Sequence, residues 1–135
     1  MEAARLEDSR GSQHVSIKRS AGYLVDNFHR VPLVLIPCIN GRPDGLSVPE
    51  AAGRWGSILP AVWSFMLAGR ERGLGSAWVT AHLGDGGERA VAEIVGIPYD
   101  TVSQVGMFPV AYTIGTDFKP AKREPVSTFL HWDTW

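Results

Sequence analysis

Hydrophobic and polar positions along this 135-residue chain switch period several times, and each switch marks an element. Residues 1–17 hold no period. They are polar, with Asp8-Ser9-Arg10-Gly11-Ser12-Gln13 as a breaker cluster, and read as a flexible arm ahead of one domain over 18–135. Ala21, Leu24, Val25 and Phe28 then recur at i, i+3, i+4 and i+7, one face of a helix closed by His29 and Arg30 at its negative end. Val31 to Cys38 is apolar on both faces and bounded by prolines, the pattern of a buried strand. Residues 40–54 are rich in glycine and proline and read as a loop. The strongest helix is expected over Ser57–Arg72, with Ser57 as its cap, Pro60 in the first turn and Gly73 as a left-handed stop.

Ile58, Leu59, Val62, Trp63, Phe65, Met66 and Leu67 cover nearly every face of that helix. A helix apolar all round has to be buried all round, and a chain this small can scarcely wrap it, so a partner subunit is implied. Further on, Leu74 to Thr80 reads as a strand. Asp85-Gly86-Gly87-Glu88 has the spacing of a capping box opening a short helix to Val95, stopped at Gly96-Ile97-Pro98. Val102 to Ile114 is β-rich, Gly106 and Pro109 implying a bulge or an edge position. A polar loop spans 115–124, a last strand Pro125–Leu130, and His131-Trp132-Asp133-Thr134-Trp135 is a tail. The mixture predicts an α+β domain.

Composition narrows the class. At 44% hydrophobic and 20% charged residues the chain is that of an ordinary globular domain with enough length for one core. Thirteen Lys and Arg against fourteen Asp and Glu leave a net charge of −1, which argues against nucleic-acid binding. The longest apolar run, Ile58 to Gly69, is about twelve residues where a membrane span needs about twenty. One cysteine, Cys38, fits a reducing cytoplasm, and its place in an apolar strand reads as a buried structural thiol.

Candidate chemistry is sparse. His14, His29, His82 and His131 share no metal-ligand spacing with one another or with Cys38, and no G-x-S-x-G elbow exists. Gly84-Asp85-Gly86-Gly87 reads as a capping loop ahead of a phosphate cradle, since Asp85 would repel an anion. Lys119-Pro120-Ala121-Lys122-Arg123 is either a solvated patch or a phosphate clamp; composition leaves both open. Trp132 and Trp135, two tryptophans in the last four residues, would be covered by docking on a partner subunit.

Gly56-Ser57-Ile58-Leu59-Pro60-Ala61-Val62-Trp63, followed by Leu67-Ala68-Gly69-Arg70-Glu71-Arg72-Gly73-Leu74-Gly75-Ser76, resembles the FMN-dependent nitroreductase family. Gly96-Ile97-Pro98, Gly106-Met107-Phe108-Pro109-Val110-Ala111-Tyr112 and Lys122-Arg123-Glu124-Pro125 follow in the family's order, so the likeness covers about residues 20–135. The resemblance implies a mixed, mainly antiparallel sheet packed with helices. It also implies a homodimer with FMN at the subunit interface, reduced by NAD(P)H and reoxidised by nitroaromatics, quinones or similar acceptors. By position, Trp78, Val79 and Thr80 match the strand end against the flavin ring, Thr80 nearest its N5. Arg123 matches the arginine on the FMN phosphate, with Lys122 beside it. The flavin supplies the redox chemistry, so no separate catalytic residue and no metal are expected.

The family's Arg-Ser-rich opening segment has no counterpart in Met1 to Arg19, and the fold is expected to lack the usual first third. Two lost charge-assisted phosphate contacts, at roughly 1.5–3 kcal/mol each, would weaken FMN binding by on the order of 10² to 10⁴. The alternative is therefore a non-catalytic dimeric remnant with weak or no flavin binding.

Overall fold

The computed structural model describes residues 12–120 and 123–135, with side chains from Val15 onward. Helix α1 runs Ser12–Asn27 and passes into a 3-10 turn, Phe28–Arg30. It begins six residues before the end of the expected arm, so residues 12–17 are helical rather than irregular. Residues 1–11 of that arm, and the candidate Lys122, lie outside the described residues.

Helix α2 spans Val48–Glu71, nine residues longer at its start than the apolar pattern predicted. The cause is local. Ser47 takes the cap position, its backbone N–H donates to the Glu50 carboxylate at 3.0 Å, and its hydroxyl donates to the same carboxylate. Pro49 sits in the first turn, where a missing donor costs nothing. Ser57, expected as the cap, is interior, and its hydroxyl donates back to the Arg54 carbonyl at 2.7 Å. Pro60 is interior too, one turn before Ser64, whose hydroxyl donates to the Pro60 carbonyl at 2.9 Å. The helix stops as expected at Gly73, which has φ +78°.

Two antiparallel sheets follow. Strands β1 (Leu33–Leu35), β5 (Phe108–Tyr112) and β3 (Leu74–Ser76) form one, with β5 central; β2 (Cys38–Asn40) and β4 (Val102–Gln104) form the other. The stretch expected as one strand over 31–38 is thus cut between β1 and β2, and the stretch over 102–114 between β4 and β5. The registers show why. Leu35 faces Phe108 and Cys38 faces Gln104, so two residues on one side oppose three on the other. That is a bulge, centred on Gly106, and it bends one ribbon into two sheets. Pro109 faces Val34, while β3 has ended one position earlier with Ser76 opposite Val110. The proline therefore lies where the central strand is paired on one side only, which its missing N–H tolerates.

Helix α3 is Gly87–Val95, ended by Gly96 at φ +77°. Its cap is Gly86, so the expected Asp85–Glu88 capping box does not form. Glu88 is drawn elsewhere, as described below. The segment expected as a last strand, 125–130, contains a 3-10 turn at Val126–Thr128 and pairs with no sheet.

Among the described residues the buried hydrophobic core is Val62, Ala92, Val105, Phe108 and Val110. These residues come from α2 (Val62), α3 (Ala92), the bulge between β4 and β5 (Val105) and β5 itself (Phe108 and Val110). Away from the core several large apolar side chains are exposed: Trp63 and Leu67 on α2 at 59% and 55%, and Trp132 and Trp135 in the tail.

Candidate functional site

The three candidate residues Trp78, Val79 and Thr80 leave β3 in an extended stretch and end at a 3-10 turn, Ala81–Leu83. Together with Ala77 and Ala81 they form one wall of a cavity of about 570 Å³. The opposite wall is the α1 face made by Ser16, Ile17, Ser20, Ala21, Leu24 and Val25. The stripe that the helical period picked out at Ala21, Leu24 and Val25 therefore faces this cavity rather than a packed core. The volume lies in the range of small-molecule sites, and apolar walls carrying a few hydroxyls are their usual lining.

The wall is held from behind by five consecutive residues. The Trp78 indole N–H donates to the Val105 carbonyl at 3.2 Å, and its ring stacks on buried Phe108 with centroids 5.7 Å apart. Gly106 lets that indole in: a Cβ there would stand 2.7 Å from Trp78 Cδ1. Val79 and Met107 exchange both backbone hydrogen bonds, at 2.9 and 2.8 Å. Gln104 completes the row through its contact with His82, 3.2 Å between Oε1 and Nε2. The bulge at Gly106 thus has a use, since it brings residues 104–108 into register with residues 78–82.

Gln104 is buried and so must be satisfied. Its side-chain amide donates to the Glu88 carbonyl at 2.8 Å, and its backbone N–H to the Glu88 carboxylate at 3.0 Å. The same carboxylate accepts a two-pronged bond from Arg42, at 2.9 and 3.0 Å. Arg42 also donates to the Val102 carbonyl at 3.2 Å and lies over the Tyr99 ring, 4.4 Å from its centre. Burial alone would raise the Glu88 carboxyl, but the Arg42 guanidinium and the Gln104 N–H outweigh it and hold it below the ordinary carboxylate value. Arg42 is raised in turn by its bond to Glu88.

None of Arg42, Glu88, Gln104 and His82 stood out as a site residue in the sequence. One signal was there: Ser103-Gln104 is a polar pair inside an apolar stretch, and a buried carboxamide demands partners. Of the other candidates, Arg123 is exposed and is not among the described residues lining the cavity. The reading of Cys38 as a buried thiol is overturned. It sits exposed on β2, because the strand that should have buried it is cut at Pro37. Partial desolvation and the charge of Glu88 push its thiol pKa up, the wrong direction for a nucleophile. Among the described residues no three His, Cys, Asp or Glu side chains gather where a metal ion could be held. None of their helices is long and apolar enough to cross a membrane.

Comparison with known proteins adds one finding: the model of the nitroreductase family matches residues 2–112. The match begins earlier than the likeness read from the sequence, which started near residue 20, and it stops before the Lys122-Arg123 segment. No curated protein and no solved structure matches the chain.

Proposed function

The chain belongs to the nitroreductase family, and from that premise we propose that it is a flavin-dependent oxidoreductase whose cavity between α1 and residues 77–81 receives the ring of FMN. Family membership supports the general oxidoreductase function. The observation that carries the flavin reading is that Trp78, Val79 and Thr80, singled out for the ring by position, line one wall of an apolar cavity of about 570 Å³.

The residues fit the ring better than the phosphate. Ile17, Leu24, Val25, Trp78 and Val79 offer flat apolar surface, and Ser16, Ser20 and Thr80 offer hydroxyls for a polar ring edge. When bound, FMN would accept electrons from NAD(P)H and pass them to a nitroaromatic, quinone or similar acceptor. The chain's part is to hold the ring, keep water from its apolar side and present Thr80 beside it. The described cavity lining contains no cation; the phosphate contact is the one the family resemblance implies, Arg123, with Lys122 as the weaker candidate.

A homodimer belongs to this reading. The exposed Trp63 and Leu67 on α2 and the tail tryptophans are the surfaces offered to a second copy. A cytoplasmic location accompanies the reading through the single cysteine.

The absence of a cation from the described lining also favours the second reading, a dimeric remnant without turnover. One experiment separates them. FMN is titrated into the purified chain while flavin fluorescence and melting temperature are followed. Binding in the micromolar range, with bleaching of the flavin absorbance by NADH or NADPH under anaerobic conditions, supports the enzyme. No change in either signal at millimolar FMN overturns it and leaves the remnant.

A further inference from the structure

Residues 78–80 reach the cavity wall from a short strand that ends at Ser76, so two anchors have to fix them. The first is the pairing of Val79 with Met107 and the seating of Trp78 on Phe108. The second lies beyond Thr80. There the 3-10 turn closes with the Leu83 N–H on the Thr80 carbonyl at 2.9 Å, and His82 reaches Gln104. Because the Gln104 amide nitrogen is committed to the Glu88 carbonyl, its oxygen is the atom that faces His82. His82 therefore donates through a protonated Nε2, and its Nδ1 is left as a buried acceptor without a partner among the described residues. Gly87 lets α3 approach the same turn, since a Cβ there would stand 3.1 Å from the His82 carbonyl carbon.

We propose that His82 and Gln104 are positioning residues for the Trp78–Thr80 wall, with Arg42 and Glu88 as the fixed end of the chain of contacts. None of the four lines the cavity. They act through one path. Arg42 grips the Glu88 carboxylate with two bonds, Glu88 grips Gln104 with two more, and Gln104 holds the imidazole two residues after Thr80. A cavity wall on an extended segment is no more accurate than the shell behind it, and a displacement of about 1 Å can cost up to about a hundredfold. A buried nitrogen left unpaired is a cost accepted in stability for the sake of placement.

The test compares His82→Phe and Gln104→Leu with Thr113→Val in the full chain. The last removes a side-chain bond to the Gly73 carbonyl at the far end of β3. The ¹H–¹⁵N signals of the Thr80 amide and the Trp78 indole, the FMN dissociation constant and the melting temperature are measured for each. His82→Phe is expected to shift the Thr80 amide and raise the FMN dissociation constant about tenfold. Its melting temperature should fall moderately, because the buried Gln104 oxygen loses its donor while the unpaired Nδ1 goes with the ring. Gln104→Leu should do the same with a larger loss of stability. Thr113→Val should lower the melting temperature and leave both other readouts alone. A Thr80 amide that stays in place in His82→Phe and Gln104→Leu overturns the proposal, as does an FMN affinity that merely follows melting temperature across all three. The inference rests on the flavin reading only for its ligand. If the parent chain binds no FMN, that reading fails, and the Thr80 and Trp78 signals alone decide on positioning. Should Gln104→Leu not fold, Gln104→Asn, which withdraws the amide by one carbon, is judged by the same signals.

Discussion

Where α3 meets β2 and β4, Arg42, Glu88, Ser103 and Gln104 all find hydrogen-bond partners inside the chain. Along α1 and α2 the opposite holds: Val25, Trp63 and Leu67 lie largely exposed. Both regions have the same short strands and the same modest length of chain to draw on. They differ in the kind of complementarity they need. Charge and hydrogen bonding can be completed by a few side chains from adjacent loops. Apolar area is covered only by more apolar area, and a chain with five buried hydrophobic side chains among its described residues has little to spare. The polar corner is therefore the self-sufficient half, and the cavity lies between it and the half that a second copy is proposed to cover.

The largest expected effect tests whether the polar corner stands without its apolar centre. Phe108 is fully buried, carries the Trp78 ring and belongs to β5. Phe108→Ala should cost about 3–5 kcal/mol, enough to unfold a marginal domain. In a urea melt the midpoint should collapse. A variant that melts like the parent would show that the core lies elsewhere.

Next is the ion pair. Glu88→Ala leaves the half-buried Arg42 without its main partner and the Gln104 backbone N–H without its acceptor, an expected loss of about 2–4 kcal/mol. The pH dependence has a definite sign. The Glu88 carboxyl is held below its ordinary value, so its contribution is complete above the unfolded-chain value of about 4.3 and is lost as pH falls through the lower folded value. Thermal melts of the parent should start to fall below about pH 5, and in Glu88→Gln that part of the acid loss should be gone. Glu50, held low by the Ser47 hydroxyl, keeps its own share in both proteins. Parallel acid limbs would mean that the corner contributes nothing to stability.

How much of this was legible in the sequence differs between the halves. The stop of α2 at Gly73, the stop of α3 at Gly96 and the bulge at Gly106 could be read because each rests on one residue with a particular backbone. The start of α2 was missed although Ser47-x-x-Glu50 was in view, because the glycines and prolines ahead of it argued for a continuing loop. The wall at Trp78–Thr80 came from ordered resemblance, not from any local pattern. Its support escaped notice because Arg42 and Glu88 lie 46 residues apart, and no local period relates them. Strand lengths failed for the same reason: a bulge is set by the partner strand, which the local pattern does not contain.

On the apolar side, the cation assignment gives the next effect. Arg123→Ala should weaken FMN binding by about 1.5–3 kcal/mol, roughly tenfold to a hundredfold. Lys122→Ala should weaken it less, because an ammonium cannot match the paired geometry of guanidinium on phosphate. Equilibrium titrations of both variants decide between them. Equal losses would remove Arg123 as the specific contact and return the loop to a solvated charge patch.

The smallest effect on stability carries the most information about the comparison. Trp63 and Leu67 stand one turn apart on α2, both more than half exposed. Exchanging an exposed leucine for lysine in a chain that acts alone should change its stability by no more than about 0.5 kcal/mol. If a second copy covers this stripe, Leu67→Lys instead places a charge at the centre of an apolar contact, where desolvation is unfavourable on both sides of the symmetry axis. Sedimentation of parent and variant at micromolar concentration separates the cases. The expected result is a parent dimer and a dissociated variant whose far-ultraviolet circular dichroism is unchanged. A parent that sediments as a well-folded monomer, or a variant that stays dimeric, would make the exposed α2 stripe an ordinary surface. The polar corner would then lose its claim to be the more self-sufficient half.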